Sequence, residues 1–203
     1  MNHLIKSMRN NIWDDNPILR KILGICPALA VTNLVENAIV MSLGVLFVMS
    51  LSELTVSIVK KFSDKHLRIL IQMLIISWYV IIVDILIKLT VPEISKSLGP
   101  YVGLIITNCL IMGRCEAYAQ FNKPLHAFLD GIISGISFGI ILVLIASIRE
   151  ILGFGTFLEI QVLNSNWSTI GLFTIPAGAF FVIGIFIWLH NISEEKMRGD
   201  IND

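Results

Sequence analysis

The chain carries three cysteines, Cys26, Cys109 and Cys115, and two of them stand where metal chemistry is worth considering. Cys26 lies in the uncharged stretch Ile22 to Leu34 (ILGICPALAVTNL), and Cys109 lies in the stretch Pro100 to Gly113 (PYVGLIITNCLIMG). As helices of 13 and 14 residues these measure about 20 Å, whereas a bilayer core of about 30 Å needs roughly 20 residues. Both stop short of crossing. Pro27 removes a backbone donor and restricts Cys26, so the first stretch reads as a broken element with a helix beginning at Pro27 and a thiol at its start. Thr107 and Asn108 set Cys109 beside polar groups in the same way. Thiolates bind soft metals, and four of them are the usual cradle of an iron–sulfur cluster or a structural zinc. Two sulfurs are half such a set, so a second chain built alike has to supply the rest. Four thiolates around an oxidised 2Fe-2S core leave about two negative charges, which calls for helix N-termini and backbone donors pointed inward. The plainer reading is that each cysteine is a small buried hydrophobe.

Cys115 separates from this pair. It lies six residues past Cys109, about 240° around a continuing helix, between Arg114 and Glu116. It should not share the centre. Three scattered cysteines also make no disulfide framework.

The elements that must carry these residues are membrane elements. Of 203 residues 55% are hydrophobic and 15% charged, with mean hydropathy +0.80, where a soluble domain has about 25% charged. Four full-length apolar spans accompany the two short ones: Asn37 to Val59, Ile69 to Val91, Leu125 to Ile148 and Ile170 to His190. Each is long enough to cross with some tilt. Polar links lie between them at Lys60 to Arg68, Pro92 to Gly99, Arg114 to Pro124 and Arg149 to Thr169. The last reads as a surface loop with a short interfacial helix, its Trp167 suited to the membrane boundary. The first 20 residues are polar and lack the apolar core of a secretory signal, so the first membrane element is expected to be retained.

If all six elements count as topological steps, twelve lysines and arginines fall on the side of both termini and three (Lys88, Lys96, Arg149) on the other. Both termini are therefore expected in the cytoplasm. The order short, long, long occurs twice, over residues 22–91 and 100–190. The fold expected is an all-α integral membrane protein in a single domain, 1–203, with six transmembrane helices in two inverted three-helix repeats and the first and fourth helices short or broken. Such a pair brings the broken segments together from opposite faces, and with them Cys26 and Cys109.

Among the acids, Asp84 sits deep in the third span, where a lone charge is costly and usually has a partner or a use. Lys88 lies one turn on, so an ion pair competes with a role in cation access. Glu36 and Glu116 follow the broken elements and are further candidates for a cation path or for polar anchoring. Glu53 and Asp130 lie toward helix ends and read as structural. The four histidines show no ligand spacing. Zero net charge gives no reason to expect nucleic acid. No G-x-G-x-x-G or P-loop appears, so any nucleotide must bind another chain.

Several motifs closely match one known family. GICPALAVT (Gly24 to Thr32), DDNP (Asp14 to Pro17), GLIITNCLIMGRCEAYA (Gly103 to Ala119), RILIQMLIISWYVIIVDIL (Arg68 to Leu86), SIREILGFGTF (Ser147 to Phe157) and PAGAFFVIGIFIW (Pro176 to Trp188) resemble the NqrD/RnfE family. Its members serve in the sodium-translocating NADH:quinone reductase (the NqrD type) and in the Rnf ferredoxin:NAD oxidoreductase (the RnfE type). VIIVDIL and FFVIGIFIW favour the former. The resemblance implies a subunit of the bacterial inner membrane, not catalytic alone, paired with a homologous, oppositely inserted NqrE-like subunit. It implies that the two jointly hold a 2Fe-2S cluster in mid-membrane, with Cys26 and Cys109 as this chain's metal ligands. That cluster would relay electrons in a six-subunit, sodium-pumping complex using NADH and ubiquinone, with no flavin site in this chain. One departure is Cys115 and its neighbours Glu116, Ala117, Tyr118 and Ala119, where the family usually reads AEAFA after Gly113 and Arg114. The competing class is a small secondary transporter or channel subunit, whose broken helices hold an ion and whose cysteines merely pack.

Overall fold

A computed structural model describes residues 23–60, 67–90, 92–153, 156–157, 160–161 and 176–199. The polar N-terminal segment, most of the Lys60–Arg68 link and the run containing Trp167 lie outside them. In chain order the elements are α1 (Ile25–Val31), α2 (Val35–Val59), α3 (Arg68–Thr90), α4 (Pro92–Ile106), α5 (Cys109–Arg114) continued by a π-helical turn (Cys115–Ala119), α6 (Pro124–Gly153), a hairpin β1 (Thr156–Phe157) and β2 (Ile160–Gln161), and α7 (Pro176–Gly199). Counting α4 and α5 as one interrupted element, the described residues form six helices. α2, α3 and α6 are each long and apolar enough to cross a membrane, and the apolar part of α7 described is Gly178–Leu189.

Several expectations are corrected. α1 begins at Ile25 rather than at Pro27, because Gly24 adopts a left-handed conformation and starts the helix two residues earlier. The break after α1 falls at Thr32–Leu34, beyond the proline. Pro92 to Gly99 is no link: it is helical and forms the first half of α4, with Pro92 at the first position, where its missing N–H costs nothing. The second short element is therefore two helices, broken at Thr107–Asn108. Finally, Arg149 and Glu150 belong to α6, which runs on to Gly153, the first residue in that region able to stop it. Of the loop with an interfacial helix, residues 162–169 lie outside the described residues; before them stands an antiparallel hairpin of two-residue strands, Thr156 opposite Gln161.

α2 and α6 cross at the centre. Gly131, Gly135 and Gly139, spaced one turn apart on α6, lie against Ser50, Leu46 and Ser42 of α2. Partner numbers fall as the glycine numbers rise, so the helices are antiparallel. A Cβ at Gly131 would stand 2.8 Å from Ser50 Cα, so the backbones meet only because glycine is there. Around this crossing Val45, Val48, Met49, Ile76, Ile105, Leu110, Phe138, Leu142 and Ile145 form the core. α3 closes one side, with Val83 against Gly44 and Tyr79 Oη within 2.8 Å of Thr55 Oγ1. Its outer face exposes Leu70, Leu74, Trp78, Ile81, Ile85 and Leu89. That surface suits lipid and would be costly in water.

Candidate functional site

The two broken elements meet where the turn before α1 reaches Cys109. Gly24 takes φ +80°, a conformation natural to glycine, and its absent side chain leaves room for Phe138, whose Cε2 would stand 2.7 Å from a Cβ. This turn directs the Gly24 N–H at Cys109 Sγ, 2.9 Å away, across 85 residues of sequence. Cys26 is the second residue of α1, two positions after that glycine. Pro27, the third, lies in the first turn, whose N–H groups have no intrahelical acceptor.

Cys109 is positioned by Asn108. That residue is extended, caps α5 by accepting the Leu110 N–H on Oδ1 at 3.0 Å, and is fully buried. Its other side-chain atom, Nδ2, is a buried donor with no partner. Cys109 is thus the first residue of α5 as Cys26 is the second of α1. Cys109 is half-buried and Cys26 exposed. The chain therefore offers two sulfurs from two helix starts, one already accepting a backbone N–H. Among the described residues no group of three or more His, Cys, Asp and Glu could hold a metal, so a four-ligand centre here would have to be completed from outside the described residues. Cys115 opens the π-helical turn and is fully buried, where the sequence placed it at a polar helix end.

The cation-path candidates do not converge. Asp84 accepts from Lys88 Nζ at 2.6 Å, the i, i+4 pair weighed from sequence. Glu116 accepts from Gln72 Nε2 at 2.7 Å and lies 4.0 Å from Arg68 Nη1, at the opposite end of α3. Glu36 is exposed in the first turn of α2.

Two buried polar groups were undervalued from sequence. In the first, Arg114 binds Asp130 through Nε and Nη2, at 3.0 and 2.5 Å, with the guanidinium 5.5 Å from the Tyr118 ring centre. Asp130 thus has the structural role expected of it. Glu53 is fully buried, and neither carboxyl oxygen has a hydrogen-bond partner. In the second, Arg149 Nη1 donates to Thr32 Oγ1 at 2.6 Å and Glu150 Oε2 accepts the Val35 N–H at 2.8 Å. The signal for this second group was present: SIREIL contains no helix breaker before Gly153, so Arg149 and Glu150 continue α6.

Comparison with known proteins agrees with a membrane protein. The family model described as "Rnf-Nqr subunit, membrane protein" matches residues 4–187. The chain is 44% identical over 182 residues, 87% of each chain, to a protein of Yersinia enterocolitica named as the D subunit of the Na(+)-translocating NADH-quinone reductase. Proteins of Yersinia pestis and Yersinia pseudotuberculosis bearing the same name match at the same identity and coverage.

Proposed function

The chain belongs to the Rnf-Nqr family of membrane subunits, and from that premise we propose that it serves in a sodium-translocating NADH-quinone reductase as one half of an intramembrane electron relay. It is a multi-pass membrane subunit of that oxidoreductase. The finer proposal is that Cys26 and Cys109 hold half of a 2Fe-2S cluster, whose other two cysteines come from a homologous, oppositely inserted partner of the NqrE type. When bound, such a cluster accepts and releases one electron at a time.

The observation that carries the proposal is the hydrogen bond from Gly24 N–H to Cys109 Sγ, which ties the two cysteine-bearing segments together. The donor set also fits. Two thiols from this chain supply the soft ligands, and the Gly24 amide stabilises negative charge on the Cys109 sulfur. The partnerless Nδ2 of Asn108 is a buried donor beside Cys109, which an anionic centre would satisfy. Exposure of Cys26 fits a ligand whose remaining coordination is made from outside the chain. Phe138, fully buried and packed under Gly24, gives this turn an apolar floor.

The antiparallel crossing of α2 on α6 supports the two inverted repeats, 22–91 and 100–190, in one membrane domain. Each repeat then contributes a broken helix followed by a central one. Both termini are cytoplasmic in this reading, in a bacterial inner membrane, and sodium passes by acids such as Asp84, Glu36 or Glu116.

The test is iron and acid-labile sulfide in the purified complex, with EPR of the reduced form, in wild type, Cys26→Ala and Cys109→Ala. The expected result is loss of the cluster signal in both variants while Cys115→Ala keeps it. Unchanged iron in both would favour the transporter reading, in which these cysteines only pack.

A further inference from the structure

The interruption between α1 and α2 has no local cause. Thr32, Asn33 and Leu34 contain neither proline nor glycine, and the residues on both sides are helical. In an unbroken helix the Val35 N–H would bond the Val31 carbonyl. Here it is left over, and it goes to Glu150 Oε2 at 2.8 Å. On the other side of the break, Thr32 Oγ1 donates to the Ala28 carbonyl at 2.5 Å, in the last turn of α1. Arg149 Nη1 donates to the same hydroxyl at 2.6 Å. The polarity is unambiguous, because a guanidinium can only donate and the hydroxyl has spent its one proton on Ala28. Thr32, Arg149 and Glu150 are all at most 2% exposed, so none of these bonds is diluted by solvent.

We infer that Arg149 and Glu150, adjacent residues near the end of α6, form a two-sided clamp that holds the break between α1 and α2 open and thereby positions Cys26. Arg149 grips the end of α1 through Thr32, and Glu150 supplies the acceptor that the first amide of α2 lacks. α1 is seven residues long and cannot hold its own place, so its anchor at this end and the Gly24 to Cys109 bond at the other define where the Cys26 sulfur lies. Arg149 and Glu150 are positioning residues: they act on Cys26 through α1. The clamp itself stands on the hydrogen bonds. Its consequence for a metal centre rests on the cluster reading above.

Hydrogen–deuterium exchange on the purified complex tests the clamp, and EPR of the reduced complex tests its consequence. The variants are Glu150→Leu and Thr32→Val, with Glu150→Gln as the conservative control because its amide oxygen still accepts. In Glu150→Leu and Thr32→Val, peptides covering residues 25–38 should exchange roughly tenfold faster, since one buried bond to a charged group is lost in each. Peptides from α3 should not change, and Glu150→Gln should exchange like wild type. The reduced-cluster EPR signal should shift in the two disruptive variants and stay in the control. Unchanged exchange over 25–38 in both disruptive variants overturns the clamp. If Glu150→Leu does not assemble, Thr32→Val decides, because it replaces a hydroxyl with a methyl of the same shape. Faster exchange with an unshifted EPR signal would overturn the positioning of Cys26 while leaving the clamp. Absence of iron from wild type would overturn the cluster reading, and the exchange result would still judge the clamp.

Discussion

Gly24 shows how much one residue decides. Its left-handed backbone starts α1, aims an amide at Cys109 and admits Phe138 to the space a side chain would take. Gly24→Ala must hold an L-residue in a left-handed turn, at a cost of about 1–2 kcal/mol, and must also displace the Phe138 ring. The expected outcome is a loss of at least that size in reversible detergent unfolding. Gly184→Ala, at a position where an added Cβ meets nothing within 4 Å, serves as the neutral control. Asp84 shows the opposite limit. Its motif invited a functional reading beside an ion pair with Lys88, and that pair is present, its carboxylate engaged one turn away. Glu53 reads as structural from its place toward a helix end, and packing adds that both its oxygens are buried without a partner.

Among the elements, the α2–α6 crossing is the most demanding. Three glycines let α6 approach α2 closely, backbone to backbone at Gly131, and the gain is dispersion contact along the seam. Gly131→Leu would drive a side chain into Ser50, an overpacking cost of about 1–3 kcal/mol. Unfolding of the variant should show that loss, and Gly103→Leu, in open space on α4, should not. The broken elements were legible from sequence as short and interrupted, though the positions of the breaks were not. Pro27 lies in the first turn of α1 and Pro100 inside α4, so neither proline makes the gap. The gaps fall at Thr32–Leu34 and Thr107–Asn108, where side chains take over what the helix gives up: Glu150 in the first case, the cap of Asn108 in the second.

Taken together, the described residues are a set of apolar helices with a lipid-suited face on α3 and buried polar groups both along α2 and α6 and at the breaks. The skew of twelve basic residues against three predicts that both termini face the cytoplasm. Fluorescent-protein fusions at each terminus should be bright and alkaline phosphatase fusions inactive. The reverse pattern at either end would remove the inverted-repeat reading, which needs both ends on one side.

Composition and apolar run lengths sufficed for the membrane class and the number of elements, because span length depends on bilayer thickness and on no contact between helices. The motifs around Cys26 and Cys109 sufficed for the family. Which atoms meet was another matter: the Gly24 amide finds a sulfur 85 positions away, and Arg149 and Glu150 reach back across more than a hundred residues to the break after α1. Such pairings depend on where three-dimensional packing leaves a buried donor or acceptor without a partner, and local helix periodicity carries no record of that.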